Sequence, residues 1–310
     1  MYIRTAAATV VASVLLVVLG GCASTSATSA SAASGGRIVA VGAENQYTSV
    51  ISQVGGKYVA ASSIMSNPNT DPHTFEASAQ VASIVSSAGL VVQNGLGYDS
   101  FMSKIEEATP STSRKVIVAQ TVLGLPNNTP NPHLWYDPKT MPAVAKSIAA
   151  ALTKIQPGHA SYFAANLARF NTSMSKWTDA LAAFKTAHPE TTVATTEPVA
   201  DYMLEAAGAK NLTPWTLQAA IMNDTDPAPQ DVAVQDGLFK NKSVKVFLYN
   251  QQVTDAITNT YLTLARANHV PVVAVYETMP TDGYTYQTWM EAELDALTKA
   301  VTTGASTARL

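Results

Sequence analysis

The chain has 310 residues, is 47% hydrophobic and only 13% charged, and carries a formal charge of -3. That much apolar material fills sizeable cores in two lobes, which excludes a disordered chain. With no basic excess and no basic run, the composition also excludes a protein built to hold nucleic acid.

Met1 to Arg4 is a short positive segment, and Ala6 to Leu19 is an uncharged apolar run, too short to span a membrane comfortably and right for an export signal. The run ends in Leu19-Gly20-Gly21-Cys22, which resembles the bacterial lipoprotein signal, and Cys22 is the only cysteine. The expectation is a signal peptide over 1–21 and an acylated Cys22 that anchors the chain to the outer face of the bacterial cell membrane. A tether rich in Ser, Ala and Thr follows, to residue 36. With a single cysteine no intramolecular disulfide is expected, so stability comes from packing.

From Arg37 the pattern alternates. Arg37 to Val41, Tyr58 to Ile64, Leu90 to Gln93 and Lys115 to Ala119 are short β-branched or apolar runs, separated by helix-compatible segments such as Gln46 to Gly55 and Ala79 to Ala88. This predicts a first α/β lobe over 37–156 with a buried, mainly parallel sheet. Met141, Ala145, Ile148, Leu152 and Ile155 share one helical face near its end. Then Phe163, Leu167, Phe170, Met174, Trp177, Leu181 and Phe184 repeat at intervals of four and three. They predict one helix near Tyr162 to Thr186, about 25 residues and about 38 Å long. Two roles fit that helix, a rigid connection between lobes over 157–188 or a core helix of one lobe. The alternation resumes over 189–310: strands at Thr192 to Thr196, Val244 to Tyr249 and Val270 to Tyr276, helices at Pro198 to Gly208, Val253 to Asn268 and Tyr286 to Val301, and a turn-rich loop at Asn223 to Gln230. The expected fold class is α/β, with two lobes of similar plan and mainly parallel sheets.

In open α/β sheets, ligands gather outside the carboxyl ends of the strands. In the first lobe the polar side chains just past strands are His73, in Asp71-Pro72-His73-Thr74-Phe75-Glu76, and His133, in the stretch NPHLWYDP; in the second they are Glu197 and Glu277. Two imidazoles and two carboxylates can cage a divalent cation in the cleft between lobes, and two carboxylates neutralise its charge. Asp137 is placed to accept the distal N–H of a histidine and fix its tautomer. Asn94, Tyr98, Tyr136 and Asn250 also lie near strand ends, without individual roles. Plainer readings stand beside these. His133 could stack on Trp135, His73 could belong to a turn, Glu197 could serve a helix dipole, and Glu277 could be solvated, with Asp201, Asp224 and Asp226 as substitutes. His159, His188 and His269 read as surface or capping residues.

The ordered landmarks 43–59, 66–78, 90–102, 131–139, 195–204 and 276–290 resemble the metal-binding substrate-binding lipoproteins of bacterial ABC transporters. This is the zinc and manganese uptake family that includes the streptococcal adhesin-like lipoproteins. The resemblance implies two α/β lobes joined by one long helix, with a metal between them. It implies His73, His133 and Glu197 as the first three ligands, with Glu277 nearest to a fourth position that is commonly aspartate. A histidine often takes the third position in zinc-specific relatives, and glutamate is familiar in manganese-type ones. The set suits Zn2+ or Mn2+ as the transported ion.

The expected function is therefore extracytoplasmic capture of a divalent metal by a monomer. The ion passes to a membrane permease whose separate ATPase supplies energy, since this chain has no GxxxxGK[ST] loop. No enzymatic activity is expected. The rivals are a lipid-anchored metallohydrolase, which would leave one metal position to water but has no HExxH, and a surface adhesin on the same scaffold.

Overall fold

The computed structural model describes residues 36–67, 75–280 and 283–310. Cys22 and His73 lie outside the described residues.

Strand β1 (Ile38–Glu44) leads into helix α1 (Asn45–Gly55), and a 3-10 turn at Gly56–Tyr58 returns the chain to β2 (Val59–Met65). Helix α2 (Ala79–Ser87), β3 (Leu90–Gln93), α3 (Ser100–Ala108), β4 (Lys115–Val118) and the short α4 (Ala119–Val122) follow. All strand pairings in this sheet are parallel and the order is β2-β1-β3-β4. The expected helix after NPHLWYDP is α5 (Thr140–Ile155), which buries Met141, Ala145, Ile148 and Leu152 along the predicted face.

After a 3-10 turn at Pro157–His159 comes α6 (Ala160–Ala187), 28 residues, or about 42 Å at 1.5 Å per residue. It buries Phe163, Phe170, Met174, Trp177, Leu181 and Phe184, as the periodicity predicts. At the first step of the stripe the buried place goes to Asn166 rather than Leu167, because the Asn166 amide donates to the Val54 carbonyl at the end of α1 (2.9 Å).

The second half repeats the plan. It runs β5 (Thr192–Thr195), α7 (Asp201–Ala206), β6 (Lys210–Asn211), α8 (Trp215–Met222), α9 (Pro229–Lys240), β7 (Val246–Asn250), α10 (Ala256–Ala267), β8 (Val272–Val275) and α11 (Tyr286–Thr303). Its sheet is again parallel, in the order β6-β5-β7-β8. Helices α8 and α9 fall where the sequence pattern predicts none. The segment 223–230 is largely the expected loop, with Pro229 opening α9 at a position where a missing N–H costs nothing.

One buried apolar cluster runs from Val41 of β1 through Trp177 of α6 to Val275 of β8, so the two sheets and the long helix share a core. A second cluster, with Leu217, Phe239, Phe247 and Tyr261, lies beneath α8, α9 and α10. In each sheet the chain reverses direction across the strand order between the first and third strands in sequence. The topological switch points are thus β1/β3 and β5/β7, where a parallel sheet of this kind offers a crevice. Among the described residues, no helix is long and apolar enough to cross a membrane.

Candidate metal site

The polar side chains at the two switch points form one buried network. Strand β3 runs into Asn94-Gly95-Leu96-Gly97-Tyr98, a loop with three successive left-handed residues, Gly95 at φ 86, Leu96 at 57 and Gly97 at 80. At Gly95 a Cβ would also press on Val118 and Gln120, within 2.9 Å, so glycine is needed there on both counts. Asp99 closes the loop by accepting from the backbone of Asn94 (2.5 Å) and Gly95 (2.9 Å). Burial pushes the Asp99 carboxyl up to about 6 against those two stabilising bonds. The loop presents Asn94 and Tyr98 side by side. Asn94 accepts from Tyr47 Oη (2.6 Å) and donates to the Pro132 carbonyl (2.8 Å), which braces the turn carrying His133.

His133 is fully buried. Asn131 Oδ1 accepts from the backbone N–H of His133 (3.0 Å) and lies 2.8 Å from Nδ1. An amide oxygen can only accept, so Nδ1 carries a proton and Nε2 is the ring nitrogen left to face Glu277. Nε2 lies 3.3 Å from Glu277 Oε2. The ring meets Trp135 and Tyr98 edge-on, at 5.4 and 5.9 Å between centroids. It is therefore clamped between aromatic neighbours rather than stacked on Trp135. The place expected for Asp137 is thus taken at His133 by Asn131, two residues earlier in the same turn. Asp137 instead accepts from the Lys139 N–H (2.9 Å).

Asn131 also ties the halves together. Its Nδ2 donates to the Pro198 carbonyl (2.8 Å), beside Glu197, and its own carbonyl accepts from Tyr202 (2.9 Å). Glu197 is buried, and its Oε2 accepts from Asn250 Nδ2 at 2.5 Å. The same amide donates to Glu277 Oε1 at 2.8 Å, so Asn250 holds two carboxylates with one NH2 group. Asn250 is fixed in turn by Thr196 at its backbone N–H and by the Gln252 N–H at its oxygen.

Of the four expected ligands, His133 and Glu277 are in contact, Glu197 is one amide away, and His73 lies outside the described residues. Among the described residues, no three His, Cys, Asp or Glu side chains converge closely enough to hold an ion. Of the substitutes, Asp201 is committed to Asn211 (2.9 Å) and Gln218 (3.0 Å), while Asp224 and Asp226 are exposed. His159 stacks on Tyr58, 3.7 Å between centroids.

The strand-end rule also points to a residue the sequence reading missed. Glu44, the last residue of β1, is fully buried, and neither carboxyl oxygen has a hydrogen-bond partner. Burial, then the neighbouring Asp99 and Glu277 charges, push its carboxyl well above the usual range. It was legible in principle. The expected strand stopped at Val41, three residues short.

Two parallel sheets on one long helix, with polar side chains from both switch points meeting in the interior, define a two-lobed α/β substrate-binding protein. The chain belongs to the family described as ZnuA, zinc-uptake complex component A, periplasmic, whose profile matches residues 41–300. Among curated relatives, it is 32% identical over 94 residues to a Thermotoga maritima protein provisionally named metal-binding, covering 30% of this chain and 33% of that one. It is 25% identical over 114 residues to the zinc-binding protein TroA of Treponema pallidum, covering 35% and 37%. These matches span little more than a third of the relatives' length. The structure of Treponema pallidum TroA superposes with a TM-score of 0.71 at 17% identity, over 87% of this chain and 100% of that one. A mutant laminin-binding adhesin (Lmb) of Streptococcus agalactiae gives 0.72 at 19%, over 86% and 100%. At such identities the likeness is one of fold.

Proposed function

We propose that this protein captures Zn2+ or Mn2+ outside the cytoplasm and hands it to an ABC permease driven by a separate ATPase. The ligands on this reading are His73, His133, Glu197 and Glu277. The observation that carries it is the pairing of His133 Nε2 with Glu277 Oε2 at 3.3 Å while Asn131 holds Nδ1. A metal-binding imidazole needs its other nitrogen engaged in this way. Glu197, on the far side of Asn250, supplies the second negative charge that a buried 2+ ion requires. Family membership supports an uptake role and a periplasmic place. Binding is favoured over hydrolysis because Glu277 already carries Asn250 on one oxygen and Tyr98 on the other, which makes it a poor general base. Residues 1–21 serve as the signal peptide, and acylated Cys22 with the tether to residue 36 anchors a monomer to the membrane.

The test is uptake. Cells lacking the protein should accumulate less Zn2+ or Mn2+ from dilute medium, with recovery on supplying the native chain and none with His133→Ala. Cys22→Ala should release the protein from the membrane fraction. Uptake that is the same with and without the protein overturns the reading.

A further inference from the structure

Glu277 belongs by sequence to the second half, yet both halves hold it. From the second, the Gln252 side-chain oxygen accepts the N–H of Glu277 (2.7 Å) and of Thr278 (2.9 Å), and Asn250 holds Oε1. From the first, Tyr98 donates to Oε2 (3.0 Å), and the buried Gln46 amide donates to the Glu277 carbonyl (3.0 Å). Asn45 grips the chain two residues further on. Its Nδ2 donates to the Met279 carbonyl (3.1 Å) and its Oδ1 accepts the Met279 N–H (2.9 Å). Such a reciprocal pair imitates a bridge between strands and fixes the segment in direction as well as in position. The ladder continues along α1. Ser49 accepts the Tyr286 N–H (3.1 Å), and Gln53 and Gln287 exchange amide hydrogen bonds at 3.0 and 2.9 Å. Asn45, Ser49 and Gln53 are four apart and so share one helix face.

Apolar side chains would join α1 to the other half at least as cheaply as buried amides, which gain little net free energy from their bonds. What amides add is directional placement. A carboxylate must stand about 2.0–2.2 Å from a bound Zn2+, and His133 is carried by the first half of the chain. We propose that Asn45 and Gln46 are positioning residues for metal binding, which fasten the Glu277-to-Met279 backbone to α1 and so keep the Glu277 carboxylate in register with His133. This rests on the reading of Glu277 as a ligand.

A double-mutant cycle on the full mature chain tests it, with Zn2+ and Mn2+ affinities measured by competition against a chelating dye. Gln46→Met keeps the length and removes the donor. It should weaken binding about tenfold in the native background and leave it within about twofold in Glu277→Gln, because the two changes act through one group. Equal losses in both backgrounds would mean that Gln46 merely supports the fold, and no loss in the native background would mean that it positions nothing; either overturns the proposal. If Glu277→Gln alone leaves affinity intact, Glu277 is not a ligand, and the proposal falls with that assignment. Should Gln46→Met fail to fold, Asn45→Ala, at a half-buried position, carries the same cycle and the same criteria.

Discussion

Asn131 Oδ1 lies 2.8 Å from His133 Nδ1 and also takes the histidine's backbone N–H, so a single side chain sets both the tautomer and the turn. Asn131→Ala frees the ring to rotate or change tautomer. Metal affinity should fall about 10–100-fold, and Asn131→Asp, which keeps an accepting oxygen, should recover most of it. Titration calorimetry on the two variants checks this; matching losses in both would remove Asn131 from the account.

Asn250 donates to two carboxylates at once. Asn250→Asp removes both donors and adds a third carboxyl beside two buried ones. The metal-free variant should melt several degrees below the native chain, and a divalent ion should raise its melting temperature by more than it raises the native one. Thermal melts with and without Zn2+ decide; an unchanged metal-free melt would contradict the prediction.

Glu293 on α11 is fully buried and accepts from Tyr136 (3.1 Å) and Trp289 (3.0 Å). Burial nevertheless pushes its carboxyl from 4.5 up to about 8. The folded value lies above the unfolded one, so the native state binds the extra proton between them. Its contribution to stability is fully present below about pH 4.5 and is lost as pH rises through about 8. Glu293→Gln stays neutral and keeps an accepting oxygen. Its denaturant midpoint should decline less than that of the native chain between about pH 5 and about pH 9. Parallel pH profiles would show that Glu293 does not titrate in this range.

Trp177 lies at the middle of the shared core, fully buried on α6 against Tyr286. Trp177→Ala should cost about 3–5 kcal/mol. Since one apolar cluster spans both sheets, the loss should appear as one unfolding transition at lower denaturant. Two separated transitions by fluorescence and circular dichroism would contradict a continuous core.

The parts of this molecule that sequence made legible are those with a period. The stripe from Phe163 to Phe184 could only be a long helix, and the buried strands announced themselves by their β-branched runs. Short helices such as α8, Trp215–Met222, lacked a contrast between apolar and polar faces strong enough to be seen. At the site, histidines and carboxylates beyond strand ends stood out by their chemistry, but the groups that place them did not. Asn131 works through a two-residue turn that looks like any loop, and Asn45 finds Met279 across 234 positions. Glu44 is hidden in the sequence because Gly42 and Ala43 interrupt the β-branched run that marks β1. Pairings of this kind depend on where the lobes meet, which no local pattern encodes.

The most direct measurement is equilibrium dialysis of the mature protein against Zn2+ and Mn2+, beside His133→Ala and Glu277→Ala. The account predicts one ion per native chain and, in each variant, an affinity lower by about two orders of magnitude or more. Native stoichiometry and affinity in both variants would contradict it.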